Sequence, residues 1–178
     1  MVHVLSDSNN IFLDWNVDAR VRMGSTGDDV KLIQYLLARA PEAAQYMPSE
    51  ISGSSGIAVS DVDGSWGAQT DAAQKWFEQN YKGGMPVLAD GVIDTIPQSG
   101  ILFGDNPTYE YKLAALLSLY AIAAGGMNNV TPTIMNMPND EQCPSDLAYV
   151  LQAALNSSQA TGASADGGSD GGSNADCN

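Results

Sequence analysis

Apolar residues recur at helical spacing along residues 26–40, where Val30, Ile33, Leu36, Leu37 and Ala40 line one face. Thr26 stands at the expected cap, and Asp28 and Asp29 complement the positive end of the helix dipole. Arg39 suits the opposite end, and Pro41 stops the helix. A second helix is predicted over residues 68–81, with Ala72, Ala73, Trp76, Phe77 and Tyr81 on its inner side and Gly83-Gly84 ending it. A third runs from Asn106-Pro107-Thr108 to about residue 124; it is apolar on most faces and so is buried rather than amphipathic. A fourth is predicted from Ser145 to about residue 155, with Asp146 in its first turn. Ahead of them all, Ile11, Leu13, Trp15 and Val17 alternate with Phe12, Asp14 and Asn16, which predicts a short strand.

Between these elements lie segments of turn and loop composition. Residues 42–61 carry Pro48 and a Ser-Gly run and read as a loop, closed by the turn Asp63-Gly64-Ser65-Trp66-Gly67. A second Asp-Gly turn stands at Asp90-Gly91, followed by Val92 and Ile93. Residues 127–144 form a Met/Asn/Pro-rich connector. From residue 156 the chain is Ser, Gly, Ala, Asp and Asn, without side chains large enough to offset the entropy of ordering, which predicts a flexible tail. The expected fold class is therefore mainly α. The expected organisation is an N-terminal segment (1–19), a first domain (20–97), a helical extension (98–155) and the tail (156–178).

Charge narrows the functions. Among 178 residues there are 21 acidic and 7 basic side chains, a formal net charge of −14. No Lys or Arg follows Lys112, while six acidic groups do. A nucleic-acid binder needs clustered cations to displace counterions, so that class is excluded, and an anionic membrane surface is disfavoured for the same reason. The longest apolar run, residues 113–124, is too short to span a bilayer. The first ten residues lack a positive region followed by an apolar one, so no secretory signal is expected. The single histidine, His3, sits at the N-terminus, which argues against a His-rich zinc site or a His-based triad. Asp61-Val62-Asp63-Gly64-Ser65 opens like a calcium loop, but Trp66 stands at the sixth position and Ala72 at the twelfth, so an EF-hand is rejected. No metal or cofactor is expected. Cys143 and Cys177 fit either one disulfide that pins the tail or two free thiols.

Two segments carry a more specific signal. Gly24-Ser25-Thr26-Gly27-Asp28-Asp29-Val30-Lys31-Leu32-Ile33-Gln34 resembles the opening of the small three-helix peptidoglycan-binding domain, and Asp63-Gly64-Ser65-Trp66-Gly67-Ala68-Gln69-Thr70 through Trp76-Phe77-Glu78 resembles its second half. That family runs Gly-x-x-Gly-x-x-Val-x-x-Leu-Gln, then Asp-Gly-x-aromatic-Gly-x-x-Thr, then a helix ending Ala-x-x-x-Phe-Gln. The resemblance covers roughly residues 21–96, under half the chain. Each shared position has a physical use: Gly24 and Gly27 allow a tight turn into the helix, and Gln34 can hydrogen-bond loop backbone across a small core. The departures are a longer loop between the two halves, Glu78 for Gln, Trp76 at a small position and Gln74 at an apolar one. In the closing piece Asp94 replaces Gly and Pro97 replaces Thr.

The resemblance implies non-catalytic binding of bacterial peptidoglycan, glycan or stem peptide, with Asp63, Trp66, Gln69, Thr70 and Gln74 as the candidate ligand-binding residues. Two roles fit Trp66: packing the loop onto the helices, and stacking on a sugar ring. Turn and cap duties account equally well for Asp63 and Thr70. A second expectation is a structural component of a larger assembly, a bacteriophage virion or tail. That would put the protein in the virion or at the exterior of the cell envelope, with protein partners on its C-terminal half. A peptidoglycan hydrolase ranks last, because the acidic pairs Asp28/Asp29 and Asp61/Asp63 lie where caps and turns use carboxylates.

Overall fold

The computed structural model describes residues 1–6, 13–83, 85–97 and 109–162. It is mainly helical. The chain opens with an antiparallel hairpin of β1 (Val2–Ser6) and β2 (Leu13–Val17), in which Val2 faces Val17 and Val4 faces Trp15. The alternation predicted β2, whereas β1 is a finding of the structure. Trp15 and Val17 are buried, and the Trp15 indole Nε1 donates to the Ile134 carbonyl at 2.9 Å. Asn16 is buried too, on the other side of the strand. Its Nδ2 donates to the Ile96 carbonyl at 2.7 Å and its Oδ1 accepts from the Ile96 N–H at 3.0 Å, which ties the hairpin to the end of the Asp90-Gly91 segment.

Helix α1 (Asp28–Arg39) keeps the predicted face, with Val30, Ile33, Leu36 and Leu37 buried. Its cap differs from expectation: Gly27 holds the position and no side chain caps the helix. Thr26 is instead bridged to Ser65, so its backbone joins two loops. Pro41 does end the α-helix, which continues as a 3₁₀ turn (Ala40–Gln45). The loop that follows contains another 3₁₀ turn (Val59–Asp61). Helix α2 (Ala68–Asn80) buries Thr70, Ala73, Gln74 and Phe77. Ala72, expected inside, is exposed, because the buried stripe is rotated toward Gln74.

Helix α3 (Lys112–Ala123) is buried along almost its whole length, as its apolar composition predicts, and packs against α1, the 3₁₀ turn after α1, and α4. It starts later than expected: Glu110 lies in a parallel bridge with Val87, and residues 106–108 lie outside the described residues. The connector is not irregular throughout. It holds a short helix α4 (Val130–Met135) and a 3₁₀ turn (Met137–Asn139). Pro132 is tolerated in α4 because it sits in the first turn, where its missing N–H costs nothing. Helix α5 (Ser145–Gly162) runs past the predicted residue 155, and Ser157 Oγ donates back to the Ala153 carbonyl at 2.9 Å. The rest of the expected tail, residues 163–178, lies outside the described residues, as do Gly84 and Cys177. Cys143 is a free thiol. No described helix is long and apolar enough to cross a membrane.

A single buried cluster runs from Val2 through α1, α2 and α3 to Leu151 on α5, so the hairpin and the C-terminal helices share one core with residues 20–97.

Candidate functional site

The two motif halves meet at Gln34. This side chain is buried on α1, and its two amide hydrogens are shared among Asp63 Oδ1 (2.9 Å), Thr70 Oγ1 (3.0 Å) and the Ser65 carbonyl (3.2 Å). Its Oε1 accepts from the backbone N–H groups of Gly64 (2.9 Å) and Asp63 (3.2 Å). The loops are zipped further by backbone: Gly27 N–H to the Gly64 carbonyl (2.8 Å), Trp66 N–H to Ser25 (2.9 Å) and Gly24 N–H to Trp66 (3.1 Å). Gly64 has φ +79°, and a Cβ there would meet the Lys31 side chain at 3.1 Å and the Gly27 carbonyl at 3.2 Å, so glycine is required twice over. Asp63 closes an Asx turn by accepting from the Ser65 N–H at 2.7 Å. The Gln34 amide and that N–H hold its carboxyl below the usual carboxylate range.

The predicted ligand residues fall into two groups around this interlock. Trp66 is 3 % exposed, Thr70 2 % and Gln74 0 %, so none of the three presents its side chain to solvent. Trp66 packs the turn onto the core, and its indole N–H is buried with no hydrogen-bond partner among the described residues, as is Gln74 Oε1. Gln69 is exposed, and its Nε2 donates to Asp61 Oδ2 (3.0 Å) and the Gly56 carbonyl (3.2 Å), holding the long loop against the first turn of α2. Asp63 and Thr70 are joined through Gln34, while Gln74 points to a different neighbourhood.

That neighbourhood contains residues whose function sequence reading missed. Gln74 Nε2 donates to Glu78 Oε1 at 3.1 Å. The same oxygen accepts from the Gly91 N–H (2.9 Å) and from Lys112 Nζ (2.6 Å). Lys112 also donates to Asp90, whose Oδ1 accepts from the Val92 N–H at 3.0 Å. The side chains of Lys112 and Glu78 are only 4 % and 5 % exposed. Burial would raise the Asp90 carboxyl, but Lys112 and the Val92 N–H outweigh it and hold it below its ordinary value. Glu78, marked in the sequence only as a departure from the family Gln, is thus balanced by a cation from the helical extension.

An open cleft of about 590 Å³ lies beside this cluster, between α2 and the second Asp-Gly turn. Arg22, Met23, Lys75, Gln79, Asp90 and Val92 are among its walls. Met23 is well exposed, and Lys75 is paired with Asp71 at 2.7 Å while remaining largely in solvent. The cleft therefore offers two cations, a neutral amide, carboxylates and an apolar patch, which suits a mixed polar ligand better than an apolar one. Among the described residues no group of three or more His, Cys, Asp or Glu side chains is placed to hold a metal ion. No protein family, curated protein or solved structure matches the chain.

Proposed function

We propose that this protein binds bacterial cell-wall peptidoglycan without cleaving it. On this reading residues 20–97 are a three-helix peptidoglycan-binding-like domain, made of α1, the 3₁₀ turn that follows it, and α2. The carrying observation is the Gln34 interlock, which makes one rigid unit of the two segments that resemble the family. The open cleft between α2 and the second Asp-Gly turn, rather than the buried Trp66, is the binding site. Arg22, Lys75 and Gln79 make short-range hydrogen bonds to the amide groups of the stem peptide there.

Charge sets the sign of the salt response. Cell wall is largely anionic and the protein carries −14, so long-range repulsion opposes approach and added salt relieves it. Co-sedimentation with insoluble purified peptidoglycan, at low and moderate salt, tests the reading. The expected result is retention that rises with salt and falls at least fivefold in the Arg22→Ala/Lys75→Ala double variant, whose fold is checked by circular dichroism. No retention at any salt overturns it.

That outcome would favour a second reading, a structural part of a larger assembly such as a phage virion or tail. The observation behind it is Tyr149 on α5, 78 % exposed, beside an apolar cleft walled by Val2, Val4, Val150 and Ala154.

A further inference from the structure

Among the described residues, the carboxylate with the most hydrogen bonds stands outside that groove. Asp140 follows the 3₁₀ turn of the connector, and its Oδ2 accepts three hydrogen bonds: from the Tyr120 hydroxyl (2.9 Å), the Tyr35 hydroxyl (3.0 Å) and Arg39 Nη1 (2.9 Å). Arg39 comes from α1 and is only 4 % exposed in its side chain. Its guanidinium lies over the rings of both Tyr35 and Tyr120, with its carbon 5.9 and 5.7 Å from their centroids. Nη1 is spent on Asp140 and the Tyr35 hydroxyl, and Nε faces Glu42 Oε1 at 3.1 Å. That ion-pair contact makes no hydrogen bond, so Nε is buried without a hydrogen-bond partner among the described residues. On the carboxylate, Oδ1 accepts, among the described residues, from the Gln142 N–H alone (2.9 Å) and keeps a lone pair.

These groups line an open cleft of about 660 Å³. Arg39, Tyr120 and Asp140 belong to its walls together with Asn129, Thr133 and Asn136. Asn129 and Asn136 are exposed, so the rim carries two side-chain amides and a hydroxyl, each able to donate and accept. The fixed charges are one guanidinium against the two carboxylates of Asp140 and Glu42. That excess of negative charge, in a protein of net −14, disfavours an anion. Only Ala124 and Pro132 in its lining are apolar residues, which disfavours a lipid or an apolar peptide. Vicinal hydroxyls fit best, because each donates to a carboxylate or amide oxygen while accepting from a guanidinium or amide N–H.

We infer that this cleft between α3, α4 and the Asp140 turn is a binding site for a neutral saccharide. Arg39 and Asp140 engage one hydroxyl pair, and Asn129, Thr133 and Asn136 engage its neighbours. The buried network beneath, tied down by Tyr35, holds both charged groups in position before the ligand arrives.

The test is titration of the full chain with cellotetraose, a neutral oligosaccharide with vicinal hydroxyls on every ring, followed by backbone amide NMR. A tetramer of galacturonic acid serves as the anionic counterpart. Expected are saturable shifts confined to residues lining this cleft, and affinity at least tenfold greater for the neutral sugar than for the acid. The Asn129→Ala/Asn136→Ala variant alters only exposed side chains and is expected to weaken binding at least tenfold. The Arg22→Ala/Lys75→Ala variant leaves it unchanged, which separates this site from the wall-binding groove. The inference is overturned if no shifts occur up to about 10 mM sugar, a concentration at which even a feeble site responds. It is equally overturned if the acid binds better, if the shifts map elsewhere, or if the rim variant binds like the parent.

Discussion

Gln34 shows how one side chain can carry a local fold. Its five hydrogen bonds reach three consecutive residues of a turn and the first turn of another helix, so two loops that lack regular structure are held by one amide. Replacing it with alanine strands the buried N–H of Gly64 and the part-buried N–H of Asp63, and removes the amide donor shared by Asp63 and Thr70. Each stranded group costs about 1–3 kcal/mol, so Gln34→Ala is expected to lower unfolding free energy by about 3 kcal/mol in urea denaturation. A change below about 1 kcal/mol would show that water satisfies the turn instead. Gln34 and its acceptor Asp63 were legible in the sequence because their types and order follow a pattern. The burial of Trp66 was not, since an indole in a turn suits a core or a surface equally well.

At the scale of elements, α2 and α3 are linked by charge rather than by an apolar seam. Glu78 and Lys112 form a buried ion pair in which Asp90 also takes part, and the pair joins α2 to the start of α3. Burying two charges is costly, so the pair's value lies in what happens when one partner is lost. Glu78→Gln restores the residue expected by resemblance but leaves Lys112 with Asp90 alone, and is expected to destabilise by about 3 kcal/mol. Glu78→Gln combined with Lys112→Met removes both charges and is expected to return to within about 1 kcal/mol of the parent. Urea unfolding of the four proteins in the cycle measures this; additive single effects would deny the coupling. None of it could be read in advance, because Lys112 opens a helix that the periodicity marks as apolar and merely buried. The same holds for β1 and α4: five residues and six residues are too short to show a period, and each is stabilised by what it packs against.

For the whole molecule, pH is the natural probe. Asp63, Asp90, Asp140 and Asp146 are all held below the ordinary value of 3.8. At Asp140 burial pushes the carboxyl up, but the Gln142 N–H, the Tyr120 hydroxyl and Arg39 together outweigh it. At Asp146 the main cause is Lys31 Nζ, which reaches it from α1 at 2.5 Å. A carboxyl with a lowered folded pKa contributes stability above the ordinary range, and that stability is lost as pH falls through the folded value. Glu110 works oppositely: burial raises its carboxyl, so protonation there favours the folded state as pH falls. Self-repulsion from the −14 charge also fades toward the isoelectric point of about 4.1. The thermal midpoint is therefore expected to rise modestly from pH 8 to about pH 5 and to drop steeply below about pH 4. Differential scanning calorimetry across that range checks it, and a midpoint that keeps rising to pH 3 would contradict it.

Taken alone, the sequence determined the mainly helical class, the positions of α1 and α2, the two Asp-Gly turns, the burial of α3 and the acidic balance. These follow from spacing, turn chemistry and composition, which act over a few residues and need no knowledge of what lies opposite. Only the tertiary structure decided which polar groups are spent within the fold and which remain for a ligand. Gln74 and Lys112 are polar residues placed inside, and the Arg39–Asp140 cluster joins residues 101 positions apart. A buried polar group is tolerated only when its partner is present, and partners drawn from distant segments leave no local pattern to read.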